Sequence, residues 1–471
     1  MRGKICIILM LLAGYLMLNM RVLAEEVLAL TDVAIVDIKK GLVLPHQTVL
    51  VENGEIIATG PSRELKLPVG ANVRDLHGMF LIPGLWDMHI HPEHEEDLDL
   101  LLVNGVLGTR ILMGEPKHLK WRAEIELGMR LGPKLLLSGP IIEGTPPPGM
   151  GALISTKGRR IINTREEAIA EVRAQHDAGF DYLKVYNNLP VEAYQGLIEE
   201  GQKLEMQVIG HVPMEVGLYQ ALEWGQTSVE HLRGSIQLLA RPDASIKPGR
   251  DLRSRSLAWE YIDTDKIGEI VDRAVAAGAY HDPTLMARLF FSSSKRVEAY
   301  LDRPEVKFLQ PQWRFLLENR DKVKWLSNFS EADFISAEKG FEMQHKLIQA
   351  FQSAGVPLLA GTDMGPWGFS LHDELGALVH AGLTPQQALV TATINPARFA
   401  GLSKTSGYIG KGARADLVVL RANPLKNIKN TRKISAVIVN GKFLDRMVLD
   451  KMLKKVSESP QFGRVKAFEQ N

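Results

Sequence analysis

The stretch LIPGLWDMHIHPEHEED, residues 81–97, joins an apolar run to a closely spaced group of histidines. His89 and His91 stand two residues apart, and side chains two apart on a β-strand point to the same face. A strand ending here would direct both imidazoles at one point in space. A shared surface is one interpretation of the pair, and a shared metal ion is the other. His94, in an acidic segment, is expected to lie in a solvated loop.

The composition is that of an ordinary globular protein. The chain has 471 residues, of which 45% are hydrophobic and 24% charged, a balance that suits one large domain or two. The formal net charge is +1, so nothing indicates nucleic acid as a partner. A small-molecule substrate is the partner expected, and a homo-oligomer remains open.

Residues 1–24 have the pattern of a secretory signal peptide. Two basic residues precede an apolar run over residues 5–18, and small residues stand before a cut after Ala24. The run is shorter than the roughly 20 residues that span a bilayer, which favours cleavage over an uncleaved anchor. The mature chain is then expected to be exported, periplasmic or secreted, with no stable membrane span. Cys6, the single cysteine, lies in this segment, so no disulfide is expected.

The two ends of the mature chain resemble each other. Short β-branched runs fill residues 28–80, and similar runs lie at 415–420 and 434–444. Each end also carries an Asn-Gly pair, at 53–54 and 440–441, which is typical of a tight hairpin turn. The pattern predicts one small composite β-sandwich domain, built from residues 25–80 plus 403–445.

The middle of the chain, residues 81–402, alternates short apolar strands with helix-like stretches. Such alternation predicts an α/β fold with a parallel sheet, and eight units fit a (β/α)₈ TIM barrel, whose active site gathers at the C-terminal strand ends. A doubly wound open sheet is the alternative, although no Gly-rich phosphate-binding motif follows the first strand. The expected strands are 81–91, 108–113, 133–139, 180–186, 207–213, 227–232, 279–285 and 356–365.

Two insertions are long for such a barrel. The first covers residues 233–262; the second, roughly 286–340, carries several aromatic residues, among them Trp313 and Trp325. Loops of this length are often lids, but extra packing on the rim is an equal alternative. Residues 446–471 carry no motif and are expected to form a short surface helix.

Six ionisable side chains fall at or near the expected strand ends. Each has an unremarkable reading alone, as a hydrogen-bonded histidine or as a helix-capping aspartate. Together they favour a metal site, because imidazole and carboxylate are good ligands for Zn²⁺ and similar metals, while a bare ammonium such as that of Lys184 is costly to bury unpaired. The set comprises His89, His91, Lys184, His211, His231 and Asp363.

With these residues, the chain resembles the amidohydrolase superfamily, and within it the imidazolonepropionase-related and prolidase-like branch. The resemblance covers nearly all of the mature chain. It rests on the motifs PGLWDMHIH, YLKVY, GHVP, EHL and GTDMG, followed by GLTPQQALVTATINPARFAGL and GYIGKGARADLVVL.

The resemblance implies a centre of two divalent metal ions, zinc or else manganese, cobalt or iron. His89, His91 and Asp363 would hold one ion, and His211 and His231 the other. Lys184, carboxylated by CO₂, would bridge both. A hydroxide between the metals would be the nucleophile, and Asp363 would move its proton to the leaving amine.

Contacts to substrate are less clearly indicated. Tyr186 shares the face of Lys184 and is a candidate substrate donor, and His281 is a second candidate; a core tyrosine and a strand-capping histidine are the alternatives. Arg110 stands where the relatives continue into an aspartate, and it joins Arg233 as a possible partner for a substrate carboxylate.

The sequence therefore predicts a metal-dependent hydrolase of an amide-type C–N bond, in a dipeptide or an N-acyl amino acid. A mononuclear deaminase or imidazolonepropionase-like hydrolase is the second hypothesis, and a cyclic amidase is also open to a binuclear site. The third is a secreted binding protein on a decayed enzyme scaffold, which the complete ligand set disfavours.

Overall fold

The computed structural model describes residues 27–146, 158–323 and 326–462. The expected signal segment, residues 147–157, Trp325 and the end of the tail lie outside these ranges. No helix within them is both long and apolar enough to cross a membrane.

A mixed sheet unites the two ends of the chain. Its order is β17-β16-β15-β5-β1-β2-β3, with β4 paired to β1. The two Asn-Gly turns form as predicted: Asn53 and Gly54 have φ of 50° and 76°, and Asn440 and Gly441 have 48° and 78°, the left-handed values that such hairpins need. The strands are β1 (Leu28–Asp37), β2 (Leu42–Glu52), β3 (Glu55–Pro61), β4 (Asn72–Asp75), β5 (Phe80–Pro83), β15 (Leu417–Leu420), β16 (Ile434–Val439) and β17 (Lys442–Asp445).

The middle of the chain forms parallel strands, which we call the parallel layer. One group has the order β6-β7-β8 and the other β10-β9-β11-β12-β13-β14. These strands are β6 (Leu85–Ile90), β7 (Val106–Ile111), β8 (Lys134–Leu137), β9 (Ile141–Glu143), β10 (Arg159–Ile161), β11 (Tyr182–Val185), β12 (Gln207–Gly210), β13 (Ser228–Glu230) and β14 (Tyr280–Asp282). Seven of the eight expected strands are therefore present.

Two details differ from the sequence expectation. The expected first strand, 81–91, is split, because β5 pairs with β1 and β15 in the mixed sheet while only β6 joins the parallel layer. The expected eighth strand, 356–365, is reduced to a single bridge between His281 and Leu358. Its backbone instead bonds alternately to β14, to the segment at Thr391 and to β6.

Backbone contacts join the two groups of parallel strands. A bridge between Ser138 and Tyr182 links β8 to β11. At the other edge, Met88 N–H donates to Ala360 and Asp363 N–H donates to His89. The segment after β14 thus lies against β6, and the ends of β6, β11, β12 and β13 approach one another.

Helices follow most parallel strands. Capping explains several of their boundaries: the Thr164 hydroxyl accepts from Glu167 N–H at the start of α3, and Gly278, at φ 61°, ends α8. The helices are α1 (Glu95–Val103), α2 (Pro116–Glu126), α3 (Arg165–Asp177), α4 (Val191–Lys203), α5 (Leu218–Trp224), α6 (Ser235–Leu239), α7 (Leu252–Leu257), α8 (Ile267–Ala277), α9 (Ser294–Leu301), α10 (Pro311–Glu318), α11 (Glu331–Ala354), α12 (Phe369–His380), α13 (Pro385–Thr391), α14 (Ile394–Phe399) and α15 (Arg446–Ser457).

The two insertions are helical and pack on the parallel layer. Residues 233–262 contain α6 and α7, while the second insertion contains α9, α10 and the start of α11. Its aromatic residues Phe290 and Trp313 join an apolar cluster that includes buried Met364. The Tyr300 hydroxyl donates to the carbonyl of Gly365 at 2.8 Å. This insertion therefore rests on the loop that follows Asp363.

Candidate metal centre

A buried carboxylate ties the Asp363 turn to β6. Asp87 Oδ1 accepts hydrogen bonds from the backbone N–H groups of His89, at 3.2 Å, and Thr362, at 3.0 Å. Its Oδ2 accepts from the Thr362 hydroxyl at 2.8 Å. Asp363 N–H in turn donates to the His89 carbonyl at 2.8 Å. These bonds hold the Asp363 carboxylate beside the histidines of β6.

The predicted histidines converge on Asp363. Its Oδ1 lies 3.1 Å from His91 Nε2 and 3.5 Å from His89 Nε2, and its Oδ2 lies 3.6 Å from His231 Nε2. His211 completes the group, with its ring centroid 4.9 Å from that of His231. His89, His231 and Asp363 each offer a ligand atom within 4.8 Å of the others, which is the spacing of groups that can share one metal ion.

Lys184 points into this group from β11. Its side chain is buried, at 1% exposure, and Nζ has no hydrogen-bond partner among the residues that the structure describes. Burial lowers the pKa of this amine to about 8, against the opposing charges of Glu230 and Asp363. A buried ammonium without a partner is destabilising. The site therefore favours a neutral or chemically modified amine, or an anion bound next to it.

In three of the histidines, Nδ1 forms a hydrogen bond with a side chain outside the predicted ligand set. His89 Nδ1 lies 3.1 Å from Glu230 Oε2, and His211 Nδ1 lies 2.8 Å from Asn187 Oδ1. Both partners are acceptors, so each Nδ1 carries the proton. His231 Nδ1 lies 2.5 Å from the Thr284 hydroxyl, which donates to the Pro283 carbonyl and so accepts from the imidazole. In these three histidines Nε2 is thereby left as an acceptor, the arrangement that metal-binding histidines adopt.

Burial also keeps these imidazoles neutral. It lowers the pKa of His231 to about 3 and that of His89 and His211 well below 6.5. Burial alone would raise the pKa of Asp363, but its electrostatic contacts with the imidazoles of His89 and His231 and the hydrogen bond from His91 hold that pKa well below its usual range. Neutral imidazoles and an ionised carboxylate are the forms that bind metal ions.

Strained backbone marks the same residues. His231 and Asp363 have φ of 58° and 48°, and Thr284, the partner of His231, has 45°. Left-handed values are unfavourable for residues with a side chain and cluster at functional sites. The unfavourable backbone conformation therefore occurs at the residues whose side chains are oriented toward the candidate metal centre.

A buried network of charged side chains contacts the candidate metal centre through Glu230 and His89. The Arg110 guanidinium is fully buried; it donates to Glu230 at 2.9 Å, to the Met88 carbonyl at 2.7 Å and to the Ser228 hydroxyl at 3.2 Å. The suggestion that Arg110 binds a substrate carboxylate is therefore wrong, because Glu230 already occupies its guanidinium. Its role in this structure is to hold the carboxylate that holds His89.

The two candidate substrate contacts are placed very differently. Tyr186 stacks on His211, with ring centroids 4.0 Å apart, and so lies beside the cluster. His281 does not: its ring packs on Phe351 of α11 at 4.3 Å, because alternation along β14 directs Asp282 toward Arg110 and turns His281 outward. The structure brings Tyr186 to the site and keeps His281 away from it.

Sequence reasoning missed the residues behind the ligands. It gave no role to Asp87, Glu230, Asn187 or Thr284. Strand alternation offers a signal for two of them, since Asp87 and His89, and likewise Ser228 and Glu230, share a face. Asn187 and Thr284 reach the histidines from loops, and no periodicity points to such partners.

Comparison with known proteins identifies the family and agrees with the fold. The amidohydrolase family matches residues 80–444. Ochratoxinase of Aspergillus niger is 22% identical over 477 residues, which cover 87% of this chain and 86% of the relative. The structure of a bottromycin amidohydrolase aligns with a TM-score of 0.70 at 25% identity, covering 92% and 91% of the two chains. A Xaa-Pro dipeptidase with bound methionine aligns with a TM-score of 0.65 at 18% identity, covering 89% and 100%.

The fold and the site together define a hydrolase with a histidine- and aspartate-rich candidate metal centre, an enzyme acting on C–N bonds. The chain belongs to the amidohydrolase family.

Proposed function

We propose that this chain is an exported, metal-dependent amidohydrolase that cleaves the amide bond of a dipeptide or an N-acyl amino acid. The observation that carries the proposal is the buried Lys184 amine, which lies beside four histidines and Asp363 and has no hydrogen-bond partner among the described residues. Export is supported by the pattern of residues 1–24 alone.

The donor set fits two divalent ions. His89, His91 and Asp363 would hold one ion, and His211 and His231 the other, with zinc the first choice for this mixture of nitrogen and oxygen donors. Lys184 is suited to react with CO₂, because its lowered pKa makes the neutral amine accessible near neutral pH. The resulting carbamate is an anion and would bridge the two ions.

The placement of Lys184 supports a binuclear centre over a mononuclear deaminase or an imidazolonepropionase-like hydrolase. A mononuclear site needs no anion at this position, and it would leave the Lys184 amine buried without a partner.

Bound divalent ions would activate water and polarise the scissile carbonyl. The remaining steps belong to the protein. Asp363, ionised and directed at the histidines, takes the proton of the attacking water and returns it to the leaving nitrogen. Asp87 and Thr362 keep that carboxylate in position. The products are a carboxylic acid and an amine.

Backbone contacts support the proposed barrel. The Ser138–Tyr182 bridge joins the two groups of parallel strands, and the bonds from Met88 and Asp363 bring the last segment back to β6. We propose that residues 81–402 form a closed (β/α)₈ barrel on this basis. The mixed sheet would be the composite β-sandwich of residues 25–80 plus 403–445.

The substrate class is supported by the relatives and by the second insertion. One structural relative is a Xaa-Pro dipeptidase, whose name places the cleaved bond between two amino acids. The apolar cluster of Phe290, Trp313 and Met364 lies directly after Asp363, where it can cover an apolar acyl or amino-terminal side chain.

Metal analysis and substrate screening test the proposal. Purified chain would be loaded with Zn²⁺, Mn²⁺, Co²⁺ or Fe²⁺, its metal content measured, and its activity assayed on dipeptides and N-acyl amino acids. About two equivalents with hydrolysis that chelation removes and metal restores would support a binuclear site. One equivalent would favour the mononuclear hypothesis, and none would favour a binding protein.

A further inference from the structure

The first insertion is unusually basic. Residues 233–262 contain six basic and three acidic residues, in a chain whose formal net charge is only +1. Most of these charges are paired: Arg253 contacts Asp333, Arg250 lies 3.3 Å from Glu215, and Arg241 lies 3.7 Å from Asp243. Arg233 and Arg255 differ, since neither forms a salt bridge with any carboxylate in the described ranges.

Arg233 lies beside the metal ligands. It follows His231 by two residues, and its backbone N–H donates to the Glu230 carbonyl at 3.0 Å. Its Nε is buried and finds no acceptor within residues 27–146, 158–323 and 326–462. Burial lowers the pKa of both His211 and His231, and the positive charge of Arg233 lowers it further at each of them.

Arg255 reaches the same area from α7. Its Nη1 donates to Met214 Sδ at 3.4 Å, a weak acceptor supplied by the loop after His211. Its Nε is also buried without an acceptor in the described part of the chain. Burial lowers the pKa of this guanidinium to about 10, with the charge of Arg233 as the next contribution. The two guanidinium groups are therefore electrostatic neighbours.

Tyr186 is fixed between a third arginine and His211. The Arg159 guanidinium lies over the Tyr186 ring, 4.3 Å from its centroid, and the opposite contact is the His211 ring. Arg159 differs from the other two arginines because Glu143 Oε2 lies 3.6 Å from its Nη1. It packs against Tyr186, while Arg233 and Arg255 have no carboxylate at salt-bridge distance within the described residues.

Buried charges without partners are destabilising, and guanidinium groups are shaped to bind carboxylates with two parallel hydrogen bonds. An α-carboxylate neutralises one of the two arginines and leaves the other uncompensated. A leaving amino acid with an acidic side chain supplies both anions at once.

We infer that Arg233 and Arg255 form a double-anion subsite beside His211, and that the preferred substrate releases aspartate or glutamate. The inference rests on the proposed function, because it places the acidic amino acid on the leaving side of the cleaved amide bond. The chemical class is Xaa-Asp and Xaa-Glu dipeptides or N-acyl derivatives of the two acids.

The test compares glycyl-L-glutamate with glycyl-L-glutamine, and N-acetyl-L-glutamate with N-acetyl-L-glutamine, using metal-loaded enzyme. We expect kcat/KM to favour the acid about ten-fold or more, the usual worth of a charged hydrogen bond. Arg255→Gln should remove this preference by lowering the acid's value and leaving the amide's nearly unchanged. Arg250→Gln, which alters an exposed arginine of the same insertion, should keep the preference.

Equal hydrolysis of acid and amide by the wild-type enzyme would overturn the subsite, and so would an Arg255→Gln enzyme that keeps the preference. Calorimetric binding of N-acetyl-L-glutamate and N-acetyl-L-glutamine separates this failure from failure of the proposed function. If no amide is hydrolysed, the proposed function fails, but tighter binding of the acid than of the amide would still support the subsite. Equal binding would refute it.

Discussion

His89 Nδ1 lies 3.1 Å from Glu230 Oε2, at a point where both side chains are almost completely buried. Glu230 in turn accepts from Arg110. Burial alone would raise the pKa of Glu230, but the charges of Arg110 and Lys184 lower it. An ionised carboxylate therefore stands behind the first histidine of the candidate metal centre, and it fixes both the orientation and the tautomer of that imidazole.

Glu230→Gln should weaken metal binding. A glutamine at this position removes the negative charge that faces His89 and leaves buried Arg110 with only the more distant Asp282, 3.5 Å away. We expect metal affinity to fall about 10- to 100-fold, as for other partners of metal-bound histidines, and the metal-free protein to lose about 3 kcal/mol of stability. Competition with a chromophoric chelator and urea unfolding measure the two effects. Wild-type affinity in a folded variant would exclude a role for Glu230 at the metal site.

Lys184→Ala should prevent the chain from binding a second metal ion. The variant cannot form the bridging carbamate, so metal analysis should give about one equivalent and hydrolysis should be lost. Without metal, the free energy of unfolding of the variant should be at least as high as that of wild type, because the variant no longer buries an amine that lacks a partner among the described residues. Lys203→Ala provides the control, since Lys203 is an exposed lysine paired with Glu200. Full activity with two metals in Lys184→Ala would refute the bridging role.

Asp363→Asn should abolish turnover without unfolding the protein. Asparagine keeps the size of the side chain, and the backbone bond from residue 363 to the His89 carbonyl does not depend on the carboxylate. Loss of the proton acceptor should reduce kcat about 10²- to 10⁴-fold. Steady-state kinetics, together with circular dichroism, provide the measurement. A variant that retains metal and turns over at the wild-type rate would disprove the proton-transfer assignment.

The candidate ligands were predicted from motifs at expected strand ends, and the structure brings the four histidines and Asp363 together. His89 and His91 obey strand alternation, Lys184 lies within β11, and His211 and His231 directly follow β12 and β13. The backbone near Asp363 was predicted less well, since its segment forms one bridge instead of a strand. A conformation held by the side chain of Asp87 and by bonds to three different segments leaves no periodic trace in the sequence.

Charge partners were the other gap. Arg110 is of a residue type that often binds substrate carboxylates, but in the structure its guanidinium is paired with buried Glu230 and Asp282. Nothing in the sequence singles out Arg255, although its Nη1 contacts Met214 in the loop after His211. A sequence gives the number of charged groups in a segment, whereas their pairing depends on which elements pack together. Pairing decides whether an arginine supports the fold or is available to a ligand.

His281→Leu should stabilise the protein in acid and leave hydrolysis intact. The imidazole is fully buried on Phe351, and neither ring nitrogen has a hydrogen-bond partner in the structurally described part of the chain. Burial lowers its pKa from 6.5 to about 4, so the unfolded chain binds a proton that the folded chain excludes, and wild-type stability falls as pH drops below 6.5. The leucine variant lacks this proton, and its advantage in urea unfolding should grow by about 1–2 kcal/mol between pH 7.5 and pH 5. His176→Gln, at an exposed position on α3, should show no such trend. A loss of kcat/KM in folded, metal-loaded His281→Leu would instead assign this histidine a part in the reaction.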